Sequence, residues 1–157
     1  TERLIREYAI EGGIIERAYT LDRGITLLLI DRGIDASLIP HGATNKDPQQ
    51  VAKIIQAHQS VVESVFDLVK GSRPLTVGVL KEMHAALLRH ESSVSAVDTL
   101  GKLVEVPLQK GTYKTLPNNP RRPDNSIHEY CPPEHVAAEV DRLITLHGEH
   151  ERKHVPT

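Results

Sequence analysis

The stretch DPQQVAKIIQAHQSVVESVFDLVK, residues 47–70, decides the fold. Val51, Ile54, Ile55, His58, Val62, Val65, Phe66 and Val69 recur at i, i+3, i+4 and i+7. That is the 3.6-residue period of one apolar helix face, sustained over roughly five turns. Asp47 followed by Pro48 predicts the start: a carboxylate that accepts orphan N–H groups, then a ring whose φ is already helical. Lys70-Gly71-Ser72-Arg73-Pro74 predicts the end. A helix of this length with a single apolar face needs other helices to cover it.

The flanking sequence supplies them. Residues 2–18 carry Leu4, Ile5, Tyr8, Ile15 and Ala18 at mixed helical spacing around Gly12-Gly13. Each glycine costs about 1 kcal/mol in a helix interior, so the pair predicts a kink or a close backbone contact. Asp22 is placed to cap a short helix through Ile25, Leu28 and Leu29, with Gly33 as its left-handed terminal residue. Residues 41–47 form a polar loop. Thr76 is placed to cap a further helix with Val79, Leu80, Met83, Leu87 and Leu88 on one face.

Residues 92–132 change character. Strand-like apolar residues appear only locally, Leu103, Val104, Val106 and Leu108, then Tyr113 and Leu116, with prolines at 107, 117, 120 and 123. Asp124-Asn125 and the Pro-Asn-Asn-Pro of 117–120 are turn chemistry. These residues read as an extended segment with a small hairpin. Pro132-Pro133 then opens a last helix to about His150, with Val136, Val140, Leu143, Ile144 and His147 expected as a buried stripe. The fold class is all-α, a helical bundle with a small β-hairpin flap.

Composition narrows the function. A net charge of -2 over 157 residues gives no electrostatic case for nucleic acid or an anionic membrane. One Phe, four Tyr and no Trp make a poor base-stacking platform. No apolar run reaches the roughly 20 residues that span a bilayer. Cys131 has no second cysteine to pair with, which suits a cytoplasmic location. His147, His150 and His154 fall at i, i+3 and i+7 but lack a His-Glu-x-x-His pattern and a distant fourth ligand, so no metal site is assigned. His58 and His84 fall on or beside buried helix faces and are expected to be core histidines satisfied by hydrogen bonds.

Four segments, in order, resemble one family. They are Ala9-Ile10-Glu11-Gly12-Gly13 followed by Tyr19-Thr20-Leu21-Asp22; Pro74-Leu75-Thr76 through Met83-His84 to Leu88; Gly111-Thr112-Tyr113-Lys114; and Tyr130-Cys131-Pro132-Pro133 with the helix after it. Together they resemble the Fic (Fido-domain) family of protein adenylyltransferases. The resemblance implies a Fic-like helical bundle that transfers AMP from ATP, with Mg²⁺ on the phosphates, to a hydroxyl side chain of a protein target. The family's His-Pro-Phe and Gly-Asn-Gly-Arg catalytic stretch occurs nowhere in these residues, so no catalytic residue is assigned.

On this reading, residues 1–35 are an inhibitory helical segment. Residues 36–157 are an incomplete Fic-type domain with scaffold helices, a flap at 101–130 and a helix at 133–150. The chain stops at Thr157, where the family's catalytic helices would begin, and alone it is expected not to transfer AMP. The resemblance makes Glu11 the inhibitory carboxylate, with Glu16 as the alternative, and assigns target docking to Tyr113, Lys114, Thr115, Leu116 and Pro117. Glu7 and Gly13 stand where the inhibitory motif has Ser or Thr and Asn, and Lys114 stands where the flap has Arg, losing its bidentate fork. A homo-oligomer is allowed for. The alternative is a stand-alone antitoxin-like module that restrains a separate Fic partner.

Overall fold

The long helix forms where its pattern places it. In the computed structural model, which describes residues 2–97 and 102–154, α3 spans Pro48–Val69. Asp47 caps it, its Oδ1 accepting from the N–H groups of Gln49 at 3.0 Å and Gln50 at 3.2 Å. Val51, Ile54 and Ile55 are completely buried. They pack against Ala9 and Ile10 of α1 (Glu2–Ile15), Leu29 and Ile30 of α2 (Arg23–Arg32), and Ile39 and Tyr19 from the connections. Burying each large aliphatic side chain contributes about 1.5–3 kcal/mol, so this cluster anchors the chain. It spans both sides of residue 35, and α1 on α3 is the most extensive helix contact.

Burial along α3 is uneven. Beyond His58 the apolar stripe continues but its cover thins: Val62 and Phe66 are half-buried, while Val65 and Val69 are exposed.

The two glycines of α1 divide the sequence expectation. The helix runs continuously through both. The close contact is present at Gly13, where a Cβ would lie 2.5–2.7 Å from the ring and hydroxyl of Tyr19. Tyr19 is fully buried there and donates its hydroxyl hydrogen to the Ile10 carbonyl at 2.9 Å. The chain reaches Tyr19 through a Schellman turn. Ala18 N–H bonds the Gly13 carbonyl, Arg17 N–H bonds the Ile14 carbonyl, and Arg17 takes the left-handed position at φ 57°.

In α2, Asp22 stands at the N-terminus but its side chain makes no cap bond. Gly33 ends the helix at φ 106°, yet ψ 164° sends the chain out extended rather than left-handed helical. α4 (Val77–Leu87) starts as expected, Thr76 Oγ1 accepting from Val79 N–H at 3.2 Å. Of its apolar face only Val79 is buried.

The hairpin pairs β1 (Ser93–Val97) with β2 (Leu103–Pro107) in antiparallel register from Ser93↔Pro107 to Val97↔Leu103. Tyr113 and Leu116 lie beyond it in irregular backbone. A second, narrower turn closes at 120–128 through the Arg121↔Ile127 bridge, with Asn125 at φ 67° and Asp124 accepting from both the Ser126 N–H and hydroxyl.

The last helix, α5 (Pro133–His154), runs four residues past His150 and packs lightly on α4. Its expected buried stripe is not buried: Val136, Val140, Ile144 and His147 are half-covered, and Leu143 is 57% exposed. Nothing among the described residues supplies a second helix to complete its cover. No helix among them is long and apolar enough to cross a membrane.

Two predictions follow from the packing at Tyr19. Gly12→Ala adds a methyl with nothing within 4 Å, so it should stabilise the fold by about 0.5–1 kcal/mol. Gly13→Ala drives a methyl into Tyr19 and should destabilise it by about 1–3 kcal/mol. Urea-unfolding midpoints measure both, and shifts of the same sign would contradict the packing. Separately, burial first and the Glu11 charge second push the Tyr19 phenol well above its ordinary value. The stability this group contributes is therefore complete below about pH 10 and lost as pH rises further. Tyr19→Phe should weaken the fold by about 1 kcal/mol at neutral pH and flatten its alkaline decline.

Candidate functional site

The groups with the most specific geometry gather where the loop after β2 meets α4. Leu108 N–H bonds the Ser92 carbonyl at 3.0 Å, extending the hairpin ladder by one step. Lys110 Nζ donates to the Arg89 carbonyl at 3.0 Å, placing a cation at the C-terminal end of α4. Gly111 then comes against the helix: its N–H donates to His84 Nδ1 at 2.9 Å. Only glycine fits this approach, because φ is 66° and a Cβ would lie 2.9 Å from the Lys81 carbonyl oxygen. Lys81 Nζ lies 4.1 Å from the Tyr113 ring centroid, a cation–π contact that fixes the ring over α4.

Val77, Leu80, Lys81, His84, Tyr113 and Val140 of α5 surround a cleft of about 140 Å³. A second depression, about 270 Å³, lies between Pro117, Asn119, Glu129, Tyr130 and the Cys131–Glu134 turn. Both are smaller than the roughly 300 Å³ at which small-molecule pockets begin, a size suited to single side chains.

The predicted docking residues divide at this point. Tyr113 and Lys114 are half-buried and held, Lys114 Nζ donating to Asn118 Oδ1 at 2.6 Å and lying 5.9 Å from the Tyr130 ring centroid. Thr115, Leu116 and Pro117 are exposed, Leu116 at 73%. None of the five is in a strand; the strand edges belong to β1 and β2. Tyr130 is braced by its N–H to Asn119 Oδ1 at 2.9 Å and by an edge contact with His128, centroids 4.8 Å apart.

Glu11 and Glu16 lie elsewhere. Both are exposed on or just after α1, which packs on α3 and α2, whereas the Tyr113 loop packs on α4 and α5. Glu11 influences the Tyr19 hydroxyl, and Glu16 influences His58. His58 is the expected core histidine: buried on α3 and hydrogen-bonded to the Ala9 backbone. Desolvation pulls its pKa below the ordinary imidazole value, outweighing the Ala9 bond and the charges of Glu91 and Glu16. Glu91 also pairs with Lys46 at 3.8 Å.

His84 is not a core residue. It is exposed, and it serves as the acceptor that fastens Gly111. The sequence offers one hint, a His one turn after Lys81 on a helix ahead of a Gly-x-Tyr, but the pairing spans 27 residues. His147 Nε2 lies 3.6 Å from Glu151 Oε1, and the His154 side chain lies outside the described residues. No group of three or more metal-ligating side chains occurs among the described residues. Comparison with known protein families, curated proteins and solved structures returns no match.

The depressed His58 pKa has a definite sign. An imidazole harder to protonate in the folded chain contributes stability that is complete above about pH 6.5 and lost as pH falls below it. The urea midpoint should therefore drop between pH 7.5 and pH 5.5, and His58→Gln should reduce that drop. An unchanged pH dependence in His58→Gln would remove His58 as its source.

Proposed function

We propose that this chain is the regulatory and target-docking part of a Fic-type protein adenylyltransferase. One observation carries the reading. Three of the four segments that resemble the family, separated by tens of residues, converge on one cleft: α4 through Lys81 and His84, the loop through Gly111 and Tyr113, and α5 through Val140. A surface that sets a side-chain-sized cleft, walled on one side by Tyr113, beside the outward Thr115, Leu116 and Pro117 is suited to grip a protein segment rather than a free metabolite.

The described residues do not fit ATP and Mg²⁺. The cleft is too small for a nucleotide, its cation is engaged with Tyr113, and no cluster of carboxylate or imidazole donors stands ready for a divalent ion. No step of the transfer is therefore assigned to these residues. Their role is control and positioning. Glu11, displayed outward from a helix anchored in the core, is available to pair with an arginine that otherwise holds the nucleotide's terminal phosphate. A charge-assisted pair of that kind contributes about 1.5–3 kcal/mol, enough to bias a two-state equilibrium roughly ten-fold or more.

A second reading rests on the same exposure: Glu11 faces outward and restrains a separate Fic partner in trans. Both readings are tested in a polypeptide that joins these residues to a His-Pro-Phe catalytic segment. Glu11→Gly should raise incorporation of labelled AMP by about ten-fold or more. A rise with Glu16→Gly instead would transfer the brake to Glu16, and no rise with either would overturn it. Inhibition by the separate chain, lost in Glu11→Gly, would favour the trans arrangement.

A further inference from the structure

The bond between Gly111 and His84 depends on the protonation state of one side chain. Gly111 N–H donates to Nδ1, so Nδ1 must carry a lone pair and the ring must be neutral with its hydrogen on Nε2. In imidazolium both ring nitrogens carry hydrogen, and Gly111 N–H would then face another donor. Imidazole is the side chain whose charge changes between about pH 5 and 8.

The surroundings leave the contact little slack. Gly111 approaches so closely that a Cβ would lie 2.9 Å from the Lys81 carbonyl oxygen and 3.2 Å from Ala85 Cβ. The charged and titratable groups that line the cleft with His84 are Lys81 from α4, resting on Tyr113, and Tyr113 from the loop, while the loop's Lys110 lies on the Arg89 carbonyl. From α5 the cleft receives only apolar Val140. Among the described residues, no carboxylate lines the cleft to take over as acceptor.

We propose that His84 is a protonation-sensitive latch: neutral, it holds the Gly111–Pro117 loop against α4, and protonated, it releases the loop. If the loop docks a protein target, the latch sets whether the docking surface is presented in its held form. That consequence rests on the proposed function, but the latch stands on geometry alone and is tested without any transfer reaction.

The test is NMR titration of the whole chain from pH 8 to pH 5. The Gly111 amide shift should follow the His84 ring signals with the same midpoint, and Gly111 exchange protection should fall about three- to ten-fold across it. His84→Asn leaves an oxygen acceptor at the position of Nδ1 that does not titrate, so Gly111 should remain protected at both ends. His84→Ala should show the low protection throughout. A Gly111 amide indifferent to the His84 titration would overturn the latch. So would the same titration persisting in His84→Asn, or full protection in His84→Ala.

Discussion

The structure depends on the contact of α1 with α3, and within it on the space that Gly13 leaves for Tyr19. Tyr19 fills a position that any side chain at 13 would occupy, and its hydroxyl satisfies the Ile10 carbonyl at 2.9 Å. A buried phenol without that bond would leave a polar group unpaired, at a cost of about 1–3 kcal/mol. Because the ring is both packed and bonded, α1 and the connection to α2 are held on the apolar face of Val51, Ile54 and Ile55 as one unit. Glu11 projects from the outer side of this unit, so its carboxylate is carried on a rigid support.

Burial decreases from that centre. The second half of α3 and the face of α4 are half-covered, and α5 has no buried residue among those described. What holds the later elements is specific polar geometry more than core burial. Arg73 pairs with Glu82, Gly111 bonds His84, Lys81 rests on Tyr113, and Asn119 bonds the Tyr130 backbone. Such contacts near solvent are individually weak. They suit a surface that is positioned but able to move, whereas the Glu11 helix is fixed by burial.

Local chemistry was legible in the sequence where one residue and its near neighbours determine the outcome. Asp47-Pro48 and Thr76 start their helices as read, because a cap bond reaches only two or three residues. The period of α3 located its core face, but could not tell how far along that face a partner extends. The stripe on α5 failed for the same reason: an amphipathic pattern states that a face is apolar, not that something covers it. Strand β1 was missed because Ser93-Val94-Ser95-Ala96-Val97 is weakly apolar and pairs only through its partner β2. Gly12-Gly13 looked like a weak point in the helix. Only Tyr19, brought back by the turn after the helix, explains why the second glycine is needed, and nothing near His84 in sequence reveals an acceptor role whose partner lies 27 residues away.

The central claim is a division of labour: a rigid α1–α3 unit that displays Glu11, and a loop carried on α4 by a few polar contacts. Native-state hydrogen exchange resolved by residue tests it most directly. The account predicts that α1 and the first half of α3 share the highest protection and open together, while the Tyr113 loop and α5 exchange at much lower free energy. Independent opening of α1, or an α5 as protected as α3, would contradict it.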